Sequence, residues 1–124
     1  MINGKDKASS EFLIENIVKG IQEKKGGNIS ILNLKQTGNA VADFFVLCNG
    51  NSDTQIAAIA ESIEKEVFKN TNQDPWHKEG FQNKEWALID YIDVVVHIFK
   101  KNVREFYALE ELWGDAVKTV IEEE

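Results

Sequence analysis

Apolar residues recur at helical spacing in some stretches of this chain and run unbroken in others, and the contrast predicts its elements. Leu13, Ile14, Ile17, Val18 and Ile21 form a first helical stripe, with Ser10 placed to cap it. Gly26 and Gly27 are expected to end that helix in the left-handed conformation glycine adopts freely. Residues 28–34, rich in Ile and Leu, read as a strand, and residues 35–40 as a polar turn. Phe44, Phe45, Val46, Leu47 and Cys48 are continuously apolar, which predicts a strand covered on both faces. After a turn at 49–52, a second helix carries Ile56, Ile59, Ala60, Ile63 and Val67 on one stripe. Ser52 and Gln55 have the Ser-x-x-Gln spacing of a capping box at its start.

The second half alternates more sharply. A loop at 70–75 surrounds Pro75, the only proline, and a short extended piece at 76–78 precedes Gly80. Residues 85–91 and 94–99 read as antiparallel strands joined by a tight turn at Ile92 and Asp93. A last helix is expected from about Asn102, with Val103, Phe106, Leu109, Trp113, Ala116 and Val120 roughly on one side and a bend at Gly114. Residues 1–8 and 118–124 are expected to fray. Helix, two strands, helix, two or three strands and helix make one α/β domain over 1–124, a mixed β-sheet with flanking helices.

Composition narrows what such a domain does. At 43% hydrophobic and 28% charged residues, the chain is that of a globular protein with a packed core. No apolar run approaches the ~20 residues of a membrane span, and the start of the chain has no apolar signal-like segment. The single Cys48 has no internal partner, which favours the cytoplasm. A net charge of −7 repels phosphate backbones, so little direct nucleic-acid binding is expected. The same charge suits a basic protein partner, or serves solubility alone.

Candidate chemistry is sparse. His77 and His97 are too few for a metal cluster, and no Cys-x-x-Cys or His-x-x-x-His spacing exists, so no metal or cofactor is expected. His97 shares a strand face with Val95 and Phe99, either as a donor to a partner or as a hydrogen-bonded sheet residue. Cys48 lacks the electropositive, accessible surroundings of a reactive thiol. Asp90 and Asp93 are the sharpest carboxylate pair, but residues three apart on a straight strand face opposite ways. Gly50-Asn-Ser52 reads as a turn and a cap. On the 85–91 strand, Trp86, Leu88 and Asp90 share one face, and an aspartate in line with them points that face toward a polar partner or solvent. Trp86 is therefore an interface anchor candidate, whereas Trp113 falls with the core.

Two ordered blocks carry a family resemblance. The first is Ala42-Asp-Phe-Phe-Val-Leu-Cys-Asn-Gly-Asn-Ser-Asp-Thr-Gln55. The second is Trp86-Ala-Leu-Ile-Asp-Tyr-Ile-Asp-Val-Val-Val-His-Ile-Phe99 with Arg104-Glu-Phe-Tyr-Ala-Leu-Glu-Glu-Leu-Trp113. The chain resembles the ribosomal silencing factor family, also called Iojap. One departure is Ile92, where the family usually has Gly; a turn with positive φ would make a β-branched residue there an outlier.

The resemblance implies a nucleotidyltransferase-like topology without the catalytic residues. It implies binding to ribosomal protein L-fourteen of the large ribosomal subunit, a block on small-subunit joining, and repression of translation. It also implies a homodimer. By that analogy the partner-binding residues are Trp86, Leu88, Asp90 and Tyr91, then Asp93, His97, Arg104 and Tyr107. Two rivals remain: a large-subunit assembly factor, and a magnesium-dependent nucleotidyltransferase using Asp43, Asp90 and Asp93.

Overall fold

In the computed structural model, which describes residues 9–38, 42–80 and 85–122, the first helix starts one residue earlier than Ser10 implies. Ser9 is its cap, and its Oγ accepts the Phe12 N–H at 3.1 Å. Helix α1 then spans Ser10–Glu23 and buries Leu13, Ile14, Ile17 and Ile21. The left-handed residue after it is Lys25 at φ 61, not a glycine. Gly26 is needed for room instead: a Cβ there would stand 2.6 Å from Ile21 Cγ2. Helix α2, Asp53–Thr71, has the expected cap, with Ser52 Oγ accepting the Gln55 N–H at 3.1 Å. The Gln55 side chain reaches back and accepts the Asn51 N–H at 2.6 Å, one residue beyond the Ser52 N–H that a full capping box would use.

The two helices lie together on one face of the sheet. At their closest approach Gly20 leaves no space for a Cβ, which would sit 2.7 Å from Ile63 Cα. Ser62 Oγ closes the contact by donating to the Gly20 carbonyl at 2.8 Å.

Among the described residues the sheet has six strands: β1 Gly27–Asn33, β2 Phe44–Gly50, β3 His77–Glu79, β4 Trp86–Asp90, β5 Val94–Lys100 and β6 Val117–Val120. Their spatial order is β3-β4-β5-β2-β1-β6. Only the central β2/β5 pair is parallel, so the sheet is mixed, as the pattern predicts. Every residue of β2 is buried, in keeping with its unbroken apolar run. Val46, Cys48, Val94, Val96 and Ile98 face α1 and α2. Phe45, Leu47, Val95 and Phe99 face the other way, beneath a thinner cover from the C-terminal segment.

That segment departs from the single helix expected. Helix α3, Val103–Tyr107, ends at Ala108 in the left-handed region (φ 49), and α4 is only Leu109–Leu112. Past Gly114, Val117–Val120 is not helical but strand β6, paired antiparallel to β1 from Ser30↔Val120 to Asn33↔Val117. The stretch Val117-Lys-Thr-Val120, expected as helix and then fraying tail, is mostly β-branched and meets the otherwise open edge of β1. Trp113 is half-buried against that second core, its ring 5.9 Å from Phe45. Residues 1–8, 123 and 124 lie outside the described residues.

The turn between β4 and β5 settles the Ile92 question. Ile92 sits at φ 77, and the Asp93 N–H donates to the Tyr91 carbonyl at 3.0 Å, closing a three-residue γ-turn. Asp90 Oδ1 accepts the Ile92 N–H at 2.7 Å, and the Asp93 carbonyl accepts both Asp43 N–H and Phe44 N–H at 2.9 and 3.1 Å. The turn is thus tied from three sides around a side chain that disfavours its conformation.

Candidate docking face

Strand alternation puts Trp86, Leu88 and Asp90 on the sheet face away from α1 and α2, each half-buried. Trp86 is held firmly. Its Nε1 donates to His97 Nδ1 at 3.0 Å, its ring stacks on Phe99 at 5.1 Å and 29°, and Tyr107 closes against it at 4.7 Å. Phe106 extends the aromatic row, 5.2 Å from Tyr107 and 80% exposed. A large apolar surface with fixed rotamers and a polar border is the kind of ground on which binding energy concentrates.

His97 lies beneath this face, opposite Leu88 in register and only 4% exposed. Burial lowers its pKa to about 4, so the ring is neutral near pH 7. Because Nδ1 accepts from the indole, the ring proton sits on Nε2, which has no hydrogen-bond partner among the described residues. The nearest aromatic neighbour is Phe45, edge to face at 4.5 Å. His97 is thus the packed, hydrogen-bonded sheet histidine of the second reading; buried beneath the face, it orients Trp86 and does not itself present a donor at the surface.

Tyr91 and Arg104, expected beside these residues, are placed elsewhere. Tyr91 is 5% exposed on the opposite face, in the core under α1 and α2, because it stands one residue beyond Asp90 in the strand alternation. Its hydroxyl has no hydrogen-bond partner among the described residues, and burial first, then Glu64 and Asp74, raise its pKa. Arg104 is 8% exposed and all five of its N–H donors are used. Nε and Nη2 grip Glu110 at 3.0 and 2.9 Å, Nη1 reaches the Asn28 carbonyl and Asn49 Oδ1 at 2.5 and 3.0 Å, and Nη2 also reaches Ser30 Oγ at 3.1 Å. It clamps the C-terminal segment to β1 and β2 and has no donor left for a partner. A cleft of about 640 Å³ opens beside it, lined by Ser30, Asn49, Lys101, Glu110 and Lys118 among others.

Asp90 and Asp93 flank the γ-turn at the border of the aromatic face, both half-buried. Among the described residues no group of three or more His, Cys, Asp or Glu is placed to hold a metal ion, so Asp43, Asp90 and Asp93 do not form one. Cys48 is fully buried, and its thiol is pushed up to about 12 by desolvation despite Arg104 nearby. No helix of the described residues is long and apolar enough to cross a membrane. Phe106 is the residue of this face that pattern reasoning missed. The stripe Val103, Phe106, Leu109, Trp113 assigns it to the covered side of one long helix; in the short α3 it is exposed beside Tyr107.

Geometry and fold together define a small mixed α/β domain with one well-covered sheet face and one thinly covered, aromatic-rimmed face. The chain belongs to the family described as "Ribosomal silencing factor during starvation", which it matches over residues 6–124. It is 40% identical over 114 residues to the ribosomal silencing factor RsfS of Halalkalibacterium halodurans, covering 92% of this chain and 96% of that protein. The RsfS of Bacillus subtilis is 44% identical over 94 residues, 76% of this chain and 78% of the relative. A crystal structure of a protein from Chromobacterium violaceum superposes with a TM-score of 0.79 at 28% identity, covering 86% of this chain and 88% of the other.

Proposed function

We propose that this chain docks on the large ribosomal subunit through ribosomal protein L-fourteen, keeps the small subunit from joining, and so represses translation without catalysing a reaction. The observation that carries the reading is the Trp86 face: an indole fixed by His97, Phe99 and Tyr107, half open to solvent, on the side of the sheet without the two long helices. Membership of the silencing-factor family supports the ribosome as the target. The net charge of −7 supports a basic protein surface over bare RNA as the contact. Trp86 and Leu88 are the apolar centre of the docking face, with Asp90, Asp93 and Tyr107 on its border. The protein acts in the cytoplasm, where ribosomal subunits meet, and self-associates as a homodimer.

Sucrose-gradient sedimentation of separated subunits with the purified protein tests this directly. The protein is expected to run with the large subunit and to reduce the fraction of joined ribosomes. Co-sedimentation with the small subunit alone would sink the proposal.

A further inference from the structure

The γ-turn between β4 and β5 holds an isoleucine where the backbone disfavours one. Among the described residues the non-glycine positions with positive φ are Lys25, Asn28, Asn72, Ile92 and Ala108. Two of them are asparagines, which tolerate that region, and only Ile92 is β-branched. Its φ of 77 also exceeds the 49 to 61 of the others. Such a conformation persists where the surroundings over-determine it. Here the N–H groups of Tyr91, Ile92 and Asp93 are all engaged, by the Val94 carbonyl at 2.9 Å, Asp90 Oδ1 at 2.7 Å and the Tyr91 carbonyl at 3.0 Å.

Burial does not explain the side chain. Ile92 is 51% exposed and belongs to neither apolar core, whereas Tyr91 beside it is 5% exposed in the first of them. Within the fold, glycine or asparagine would serve this backbone with less strain. We propose that Ile92 is a contact of the docking face, seated on binding in a shallow apolar recess between basic side chains of the protein partner. Its place supports this, since the turn lies at the border of the Trp86 face with Asp90 and Asp93 on either side. An apolar residue between two carboxylates matches an apolar spot ringed by lysine or arginine, and it matches a phosphate backbone poorly. Its rigidity supports it too. A β-branched side chain has few χ1 choices, and the hydrogen-bonded turn fixes its base, so little freedom is lost when the contact forms.

This inference rests on the docking reading of the proposed function and adds a third apolar contact to Trp86 and Leu88. It also sets stability against binding at one position. The residue that suits the turn removes the contact, and the residue that makes the contact strains the turn.

Binding kinetics with isolated ribosomal protein L-fourteen, alongside thermal melting, test this in three variants. Ile92→Gly and Ile92→Asn relieve the turn and remove the apolar surface, while Ile92→Leu keeps that surface without the branch at Cβ. The glycine and asparagine variants are expected to melt higher than the unaltered chain yet bind roughly five- to tenfold more weakly, as burial of about half an isoleucine side chain implies. The loss is expected in the dissociation rate and to be the same at low and high salt. The leucine variant is expected to bind within about twofold of the unaltered chain. Unchanged binding in the glycine and asparagine variants, with Trp86→Ala still weakening it, would overturn the Ile92 contact and leave the docking face standing. Unchanged binding in the Ile92 and Trp86 variants alike would overturn the docking reading itself. Lower melting temperatures in both the glycine and asparagine variants would show that the side chain supports the fold, and would sink the proposal. So would a leucine variant as weak as the glycine one, since the turn's shape would then be what the partner reads. A loss seen with protein-free large-subunit rRNA and not with the ribosomal protein would make nucleic acid the occupant and overturn it equally.

Discussion

Three residues carry most of what can be measured one side chain at a time. Trp86→Ala is expected to weaken binding to the ribosomal partner by about 2 kcal/mol, the scale of a hot spot, while the protein still melts cooperatively; a loss of cooperative unfolding would mark Trp86 as core instead. Ile92 occupies a left-handed γ-turn at φ 77 while half its surface is exposed, so its side chain gains little to offset the strain. Ile92→Gly is expected to stabilise the fold by about 1 kcal/mol, or roughly 3–5 °C in Tm, read by thermal melting. His97 titrates below its ordinary value because it is buried, so the unfolded chain takes up a proton that the folded chain refuses. Stability is then complete above about pH 6.5 and falls as the pH drops from there to about 4, by up to roughly 1.4 kcal/mol per pH unit. His97→Phe is expected to flatten that part of the stability profile, measured by urea denaturation at each pH; an unchanged slope would mean that His97 is protonated in the native state.

At the scale of elements, the informative object is the C-terminal segment, two short helices and a strand where one helix was expected. Neither α3 nor α4 is long enough to be stable by itself; the Arg104 clamp holds them. Arg104→Met leaves Glu110, Asn49 and Ser30 without its donors and is expected to cost about 3 kcal/mol. Glu110 gives the pH counterpart. Burial acts to raise its pKa, but the hydrogen bonds and charges of Arg104 and Lys118 outweigh it and hold the carboxyl down at about 2. That contribution is present above about pH 4.5 and is lost as the pH falls toward 2, so Glu110→Gln is expected to remove part of the acid sensitivity below that of His97. The helices α1 and α2 and strands β1, β2, β4 and β5 were legible in the sequence because each buries a regular apolar pattern. The fate of residues 103–120 was not, since Phe106, Leu109, Trp113 and Val120 fit a helical stripe equally well on paper. What decided it was tertiary: the open edge of β1, and the buried acceptors that Arg104 satisfies. The same holds for the site. Trp86, Leu88 and Asp90 share the face that alternation assigns them, while Tyr91 and Arg104 entered through the family resemblance, and alternation itself sets Tyr91 on the opposite face.

For the whole molecule, the question is how an acidic domain finds a partner embedded in a ribosome. On the proposed reading, a net charge of −7 opposes approach to rRNA and favours basic protein surface. The acidic border of the docking face, Asp90 and Asp93, stands beside the apolar Trp86 and Leu88, so approach and adhesion are divided between two kinds of group. Charge of this sort acts mainly on the association rate and is screened within about 8 Å at physiological ionic strength. The association rate with the isolated ribosomal partner is therefore expected to fall about tenfold or more between low and high salt, with the dissociation rate changing far less. Stopped-flow indole fluorescence at several salt concentrations measures both, since the proposed contact includes Trp86. The double variant Asp90→Asn with Asp93→Asn should lose most of that salt dependence and keep most of the slow dissociation. A salt-independent association rate in the unaltered protein would assign the encounter, as well as the adhesion, to the apolar face.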